Sequence, residues 1–241
     1  MRHGWRIYAN GRVLIPRCLE RHAWLHWANA WKNEQIPDQQ LSLADEQIAD
    51  WIAGQPVMPF DALAELLGTI AEDLPSVLEV GCSSGYYSKV LKHCRPTTRY
   101  VGVDYSQSFC ALGRRHFPAA PLACADTLRL PFRDAAFPLV ISGSVLLHVH
   151  DWAAALHETL RVTSRYAILH RTRVASTSTA TFTKRAYGLR LVEWSFNESD
   201  LLEESAKAGF SLVAQLDLDN QAALSASGFA PNTRSYLVRR T

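Results

Sequence analysis

Three acidic side chains, each at the end of a short apolar run, hold the chemistry that this sequence of 241 residues suggests. Glu79 lies in Val77-Leu78-Glu79-Val80, Asp104 ends Val101-Gly102-Val103-Asp104, and Asp126 follows Ala123-Cys124-Ala125. The first run leads into the turn Gly81-Cys82-Ser83-Ser84-Gly85. Glycine at 81 and 85 lets the backbone turn sharply and keeps side chains out of the space between loop and ligand. A helix starting near Gly85 adds free N–H groups and partial positive charge, suited to a carboxylate or phosphate. The spacing is not the G-x-G-x-x-G of a dinucleotide site, and Glu79 would repel a pyrophosphate. A ligand bearing an amino group and a sulfonium tolerates that acid. Asp104 can accept from both hydroxyls of a ribose, and Asp126 from the exocyclic amine of adenine. Either aspartate alone reads equally well as a turn or helix cap. Three acids in register at one sheet edge are harder to explain as caps alone.

A second group follows the fourth apolar run, in Leu146-Leu147-His148-Val149-His150-Asp151-Trp152. An ordinary histidine pKa of about 6.5 leaves the imidazole able to accept a proton at neutral pH. His148 is therefore a candidate general base, with His150 a weaker one; the alternative is a histidine that orders its loop. The two have no further ligands at a spacing that would hold a metal. Asp151 reads as the N-cap of the next helix.

The elements that must position these groups alternate in type. Apolar runs at 77–80, 100–103, 121–124, 139–141 and 166–169 are separated by amphipathic segments at 85–94, 106–116 and 151–162. Ser106 is a candidate N-cap for the second of these. Such β-α-β alternation marks a parallel sheet covered on both faces. Asn197-Glu198-Ser199-Asp200 reads as a capped helix start and Gly209 as its stop, before strands at 210–217 and 234–239. The first seventy residues read as helical. Trp24, Trp27 and Trp31 share one face of a helix around 20–32, as core packing or as an aromatic lid over a substrate. Pro37 is expected to end that segment, a second helix to start after Ser42 and stop at Gly54-Gln55-Pro56, and a third to span 60–73. The insert at 170–197 carries Arg171, Arg173, Lys184 and Arg185, which could meet an acidic acceptor. Its stretch Ser176-Thr177-Ser178-Thr179-Ala180-Thr181 reads as a solvated connection. Trp194 and Phe196 there either line an apolar pocket or pack.

The segments Val77–Ser88, Tyr100–Ser106, Ala123–Phe132 and Phe137–Val162 resemble, in order and spacing, the signature regions of class I S-adenosylmethionine-dependent methyltransferases. The resemblance is strongest to the small-molecule group related to quinone biosynthesis. It implies an α/β, doubly wound, Rossmann-like seven-stranded sheet whose last strand is antiparallel. An N-terminal helical cap (1–73) would precede the core (74–241). It also implies S-adenosylmethionine as cofactor, its methionine end at Gly81, Cys82, Ser83 and Gly85 and its amino group near Glu79. Asp104 would hold the ribose, Tyr105 would flank the adenine, and Asp126 and Thr127 would contact its edge. Ser142 and Gly143 would close over the methionine. Two positions depart from the pattern. Ser83 replaces the usual central glycine and is expected to adopt an ordinary backbone conformation, and Pro138 replaces an acid before the fourth strand.

Composition sets the remaining bounds. Apolar residues make up 48% and charged residues 20%, with a formal net charge of +2, as in an ordinary globular protein. No apolar run approaches the roughly 20 residues that span a bilayer. The basic start Met1-Arg2-His3-Gly4-Trp5-Arg6 lacks a following signal-type apolar stretch, so a cytoplasmic address is expected. Cys18, Cys82, Cys94, Cys110 and Cys124 occur singly, which argues against a disulfide framework or zinc ribbon. Basic residues prevail from Arg2 to Lys32 and acidic ones from Glu34 to Glu79. This split could mark a surface for an anionic partner, or merely helices of opposite charge lying together. The expected reaction is methyl transfer to a small-molecule acceptor, an anionic one if the insert's cations meet it, with oxygen of a secondary metabolite, sugar or lipid precursor receiving the methyl. The alternatives are an RNA or protein methyltransferase, supported only by the basic first thirty residues with interleaved tryptophans, and a non-catalytic cofactor-binding subunit. A nucleic-acid partner is not the expectation.

Overall fold

A computed structural model describes residues 11–175, 178–218 and 232–241. Strands β2 (Ser76–Val80), β3 (Arg99–Asp104) and β4 (Leu122–Cys124) pair in parallel. On the other side of β2 lie β5 (Phe137–Gly143) and β6 (Thr163–Ala175), also parallel. The last strand, β10 (Asn232–Arg240), runs antiparallel between β6 and β9 (Phe210–Asp217). The result is the doubly wound seven-stranded core expected from the sequence, in order β4-β3-β2-β5-β6-β10-β9. Its central strands are apolar runs because both faces are covered; Leu78, Val140, Ala167, Ile168 and Leu169 are fully buried. Strand order reverses at β2, and a crevice opens there beyond the carboxyl ends.

Alternate residues of the strands feed two cores. On one face Val77, Leu139, Ile141, Tyr166 and Ile168 meet α3 (Met58–Gly68), α4 (Tyr87–Cys94) and Ile48 of α2 (Ile36–Ile52). On the other, Ala167 and Leu169 meet α6 (Trp152–Arg161), α7 (Glu198–Lys207) and Trp24 of α1 (Arg17–Trp27). The first helix is thus shorter than expected, and Trp31 falls in a separate 3₁₀ turn, Ala30–Lys32. Pro37 does not end a segment but opens α2 within its first turn, where a missing N–H costs nothing. That helix stops before Gly54, whose φ is +88°. Asp151 and Asn197 cap their helices through side-chain oxygens, whereas Ser106 sits at the N-cap of α5 (Gln107–His116) with its hydroxyl turned to Ser108.

Three further strands extend the sheet. β7 (Ala180–Ala186) and β8 (Leu189–Asn197) form an antiparallel hairpin, and β1 (Val13–Leu14) pairs with β7. The hairpin joins the core where β8 runs parallel to the end of β6, at Val174↔Phe196 and Ala175↔Asn197. The described part of the hydroxyl-rich stretch is therefore half strand rather than a solvated connection; Ser176 and Thr177 lie outside the described residues. Thr181 and Thr183 are buried, as suits β-branched residues on a pleated surface. Tyr187 and Gly188 both have positive φ, giving the two-residue turn that matches strand twist. Trp194 and Phe196 pack in the core. No described helix is long and apolar enough to cross a membrane.

Helix α5 is clamped to the turn after β2 at a glycine. A Cβ on Gly113 would lie 2.4 Å from the Ser84 carbonyl oxygen and 2.3 Å from Leu122 Cδ1. Backbone cannot yield as a flexible side chain does, so Gly113→Ala is expected to cost about 1–3 kcal/mol despite its better helix propensity. A urea melt of the variant checks this, and unchanged stability would show that the helix can shift.

Candidate functional site

The crevice is a cavity of about 550 Å³ shared by two groups of residues. The first comes from the three strand tips. Glu79, Gly81, Cys82, Ser83, Asp104, Tyr105, Asp126 and Thr127 all line it, together with Gly143 from β5. Gly85 and Ser142, expected among them, do not. Gly85 (φ +80°) turns against Leu122, and Ser142 is buried within β5 outside the lining.

Glu79 is 2% exposed and accepts a 2.5 Å hydrogen bond from the Tyr100 hydroxyl. Burial, against that bond and helped by Asp104, lifts its pKa to about 8. Gly81 has φ +70°, and a Cβ there would lie 1.9 Å from Val145 Cγ2, so the turn needs glycine. Ser83 does not adopt the ordinary conformation expected of it; its φ is +55°. The bend aims its N–H at Asp104 Oδ2 (2.8 Å), and its hydroxyl meets Gln40 of α2. Asp104 Oδ1 accepts from the Ser106 N–H at 2.9 Å, so one carboxylate ties the turns after β2 and β3 together. Burial raises its pKa, against the amides of Ser106, Ser83 and Tyr105. Three amides leave one of the carboxylate's four lone-pair sites for a further donor. Asp126 accepts from the Leu128 N–H at 2.9 Å, so it shapes a turn and lines the cavity at once. Thr127 Oγ1 is buried with no hydrogen-bond partner among the described residues, an unmet polar group that a ligand would satisfy. Burial pushes the Cys82 thiol well up, which leaves it unreactive.

The second group lies opposite, on the hairpin and the loop after β5. His148 Nδ1 is 3.0 Å from the Val192 carbonyl, which can only accept; the proton is therefore on Nδ1, and Nε2 is an acceptor. Burial and then Lys184 lower its pKa to about 4. His150 also lines the cavity, at the exposed rim, with its ring 5.5 Å from that of Trp24. Among the described residues no group of three ligand-type side chains could hold a metal. Arg171, Arg173 and Lys184 line the cavity. Arg185 does not, because strand alternation turns it outward to solvent while Lys184 and Ala186 face in.

Several lining groups were not singled out in the sequence. Glu193, fully buried, contacts Lys184 Nζ at 2.7 Å, Arg173 Nε at 3.6 Å and Arg12. Burial alone would raise its pKa, but Lys184, Arg12, His148 and Arg173 draw it down to about 2. Behind Arg171 a buried chain runs from Tyr87 Oη to His170 Nε2 (3.1 Å) and from His170 Nδ1 to Ser235 Oγ (2.8 Å). The Arg171 N–H donates to that same serine oxygen at 3.1 Å. Tyr86, Tyr187 and Trp31 complete the wall. The tryptophan stripe divides accordingly: Trp24 is core, Trp27 lies under Arg190, and Trp31 faces the cavity. The basic, tryptophan-rich surface considered for RNA is not continuous, because Arg12 and Trp24 are buried. Arg2, Trp5 and Arg6 lie outside the described residues.

Residues 78–169 match the family model of a methyltransferase domain. A 37.1 kDa transposon-borne protein of Streptomyces fradiae is 29% identical over 156 residues, covering 63% of this chain and 43% of that protein. Demethylmenaquinone methyltransferase of Streptomyces avermitilis is 32% identical over 81 residues, 34% of this chain and 35% of the enzyme. The chain thus spans less than half the length of the curated relatives it matches. Among solved structures, 1,6-didemethyltoxoflavin N1-methyltransferase of Burkholderia thailandensis superposes with a TM-score of 0.60 over 98% of both chains at 15% identity, which shows the shared fold.

Proposed function

We propose that this chain, which carries a class I S-adenosylmethionine-dependent methyltransferase domain, moves the methyl group onto a small organic acceptor, with oxygen as the receiving atom. One observation carries the reading: the acids of three successive strand tips open into one cavity, continuous with a second, aromatic and cationic half. A volume of about 550 Å³ is in the range of small-molecule sites. S-adenosylmethionine, when bound, supplies an electrophilic methyl on its sulfonium.

In this reading Glu79 receives the amino group, while Gly81, Cys82 and Ser83 follow the methionine chain and Gly143 closes over it. Asp104 accepts from a ribose hydroxyl, Tyr105 flanks the adenine, and Asp126 and Thr127 meet its edge. Gly85 and Ser142 act through the shape of the backbone. The second half holds the acceptor atom roughly 3–3.5 Å from the methyl and keeps water away. His148, neutral and with Nε2 available, accepts a hydrogen bond from an acceptor hydroxyl and takes its proton as transfer proceeds. Its low basicity makes orientation the larger part of that role.

The test is label transfer from a deuterated-methyl donor to a metabolite extract, read by mass spectrometry, with Asp104→Ala alongside. The protein is expected to label a small molecule. The variant should bind S-adenosylhomocysteine about 1–3 kcal/mol more weakly in a calorimeter, through a lost charge-assisted bond. Unchanged affinity in a folded variant would remove Asp104 from the ribose, and label found only in RNA or protein would overturn the acceptor class.

A further inference from the structure

We propose that the acceptor half of the cavity is built for a small organic anion, whose carboxylate- or phosphate-type group lies on Arg171 and Lys184 beside an aromatic wall. This deepens the methyl-transfer reading and rests on it. Three cationic side chains, Arg171, Arg173 and Lys184, line this half among the described residues. Glu193 takes up Lys184 at 2.7 Å and also reaches Arg173 and Arg12. The Arg171 guanidinium, on the same wall, has no carboxylate within ion-pair distance among the described residues, and a charge so placed is costly in a water-poor pocket. His148 adds no charge of its own, because its single ring proton is already given to Val192 and the ring stays neutral. The charge on Arg171 is met when an anion enters.

A second observation points the same way. The Trp31 indole nitrogen is buried with no hydrogen-bond partner among the described residues, and Trp31 lines the cavity. An indole N–H can only donate, so it too asks for an acceptor-rich ligand. A buried N–H left unmet is costly, and a bound oxygen would recover that cost. The Trp31 ring lies 5.0 Å from that of His148 and 5.8 Å from that of Tyr187, forming an aromatic wall for an unsaturated body.

Arg171 is held for this task by its backbone. Its φ is +55°, rare for a long side chain, and its N–H is anchored on Ser235, which also binds the buried His170. Strain of this kind persists where the surroundings over-determine it. The anchor lets the guanidinium project from the end of the central sheet, next to the hydroxyls of Tyr86 and Tyr87, whose positions favour its charged form.

The experiment uses the full chain saturated with S-adenosylhomocysteine, and titrates benzoate, phenyl phosphate and neutral benzamide while Trp fluorescence and heat are recorded. At least one anion is expected to bind about tenfold or more tighter than benzamide. Preference for benzoate assigns a carboxylate, and preference for phenyl phosphate assigns a phosphate. Arg171→Gln should erase the preference and Arg171→Lys should keep most of it, with S-adenosylhomocysteine affinity unchanged in both. Lys184→Gln provides a second, independent loss. Equal affinity for benzamide and the anions, or no binding of any of the three, overturns the proposal while leaving cofactor binding intact. Failure of S-adenosylhomocysteine to bind would instead overturn the methyl-transfer reading beneath it.

Discussion

Replacing Glu193 by glutamine is expected to destabilise the fold by about 3–5 kcal/mol, the cost of removing one partner from a buried ionic group. Glu193 sits on β8 between Val192 and Trp194, all three buried, and its carboxylate meets Lys184 across the hairpin and Arg12 from the chain's beginning. The amide of glutamine keeps the shape but not the charge, so Arg12, Arg173 and Lys184 would face one another in low dielectric. The same cluster joins Arg12, just before β1, to β6, β7 and β8, so the loss would be felt in the whole added sheet. Urea melts of Glu193→Gln, Lys184→Met and the double variant test this. The double variant should recover part of the loss, since removing a cation relieves the repulsion. Additive effects would show that the carboxylate and the amine do not act together.

Acid is expected to destabilise the chain before its carboxylates titrate in bulk, because a fully buried histidine stays neutral in the fold. Burial and then Arg171 hold the pKa of His170 at about 3. An unfolded histidine gains its proton near pH ~6.5, so the unfolded state binds more protons between these values and stability falls with pH. Over that window the loss attributable to His170 is about 3–5 kcal/mol. His148 adds in the same direction but less, because its ring borders the cavity. Glu79 acts oppositely. Its folded pKa of about 8 lies above the ordinary carboxylate value, so its contribution is complete at low pH and is lost as pH rises towards 8. The ligand-free protein should therefore be most stable below neutrality, with a decline on each side. Measured against pH, His170→Asn should flatten the acid limb and Glu79→Gln the alkaline one. An acid limb unchanged in His170→Asn would mean that other groups set it.

The strand tips were legible because their signals are local. An apolar run, an acid and a glycine turn lie within ten residues of one another, and backbone sterics fix what such a run does. The helix caps at Asp151 and Asn197 were legible for the same reason. The opposite wall was legible only in part: His148, Arg171, Arg173 and Lys184 were singled out, but not the carboxylate that joins them. Glu193 acquires its meaning only from Arg12, distant in the chain, and a lone acid in an apolar run carries no sign of that pairing. The hairpin did leave a trace, since Tyr187-Gly188 between two β-branched stretches is a turn signal. The hydroxyl of Thr181 read as solvated as long as no partner strand was known. Ser83 shows a limit of a different kind. Its left-handed backbone is imposed by the Asp104 carboxylate, a contact that propensity alone opposes.

The thirteen residues of β6 have a consequence of their own. Their first part is a central strand of the parallel core, and their last two bond to the hairpin that walls one side of the cavity. One strand, bulged at Arg171, is thus both floor and doorframe. The chamber that greets the incoming compound cannot swing on a hinge of its own, as a loop-borne cover would. Relatives that acquire new tastes on this scaffold would then do so by exchanging inward-facing side chains at 184, 186, 191 and 193, not by trading whole loops.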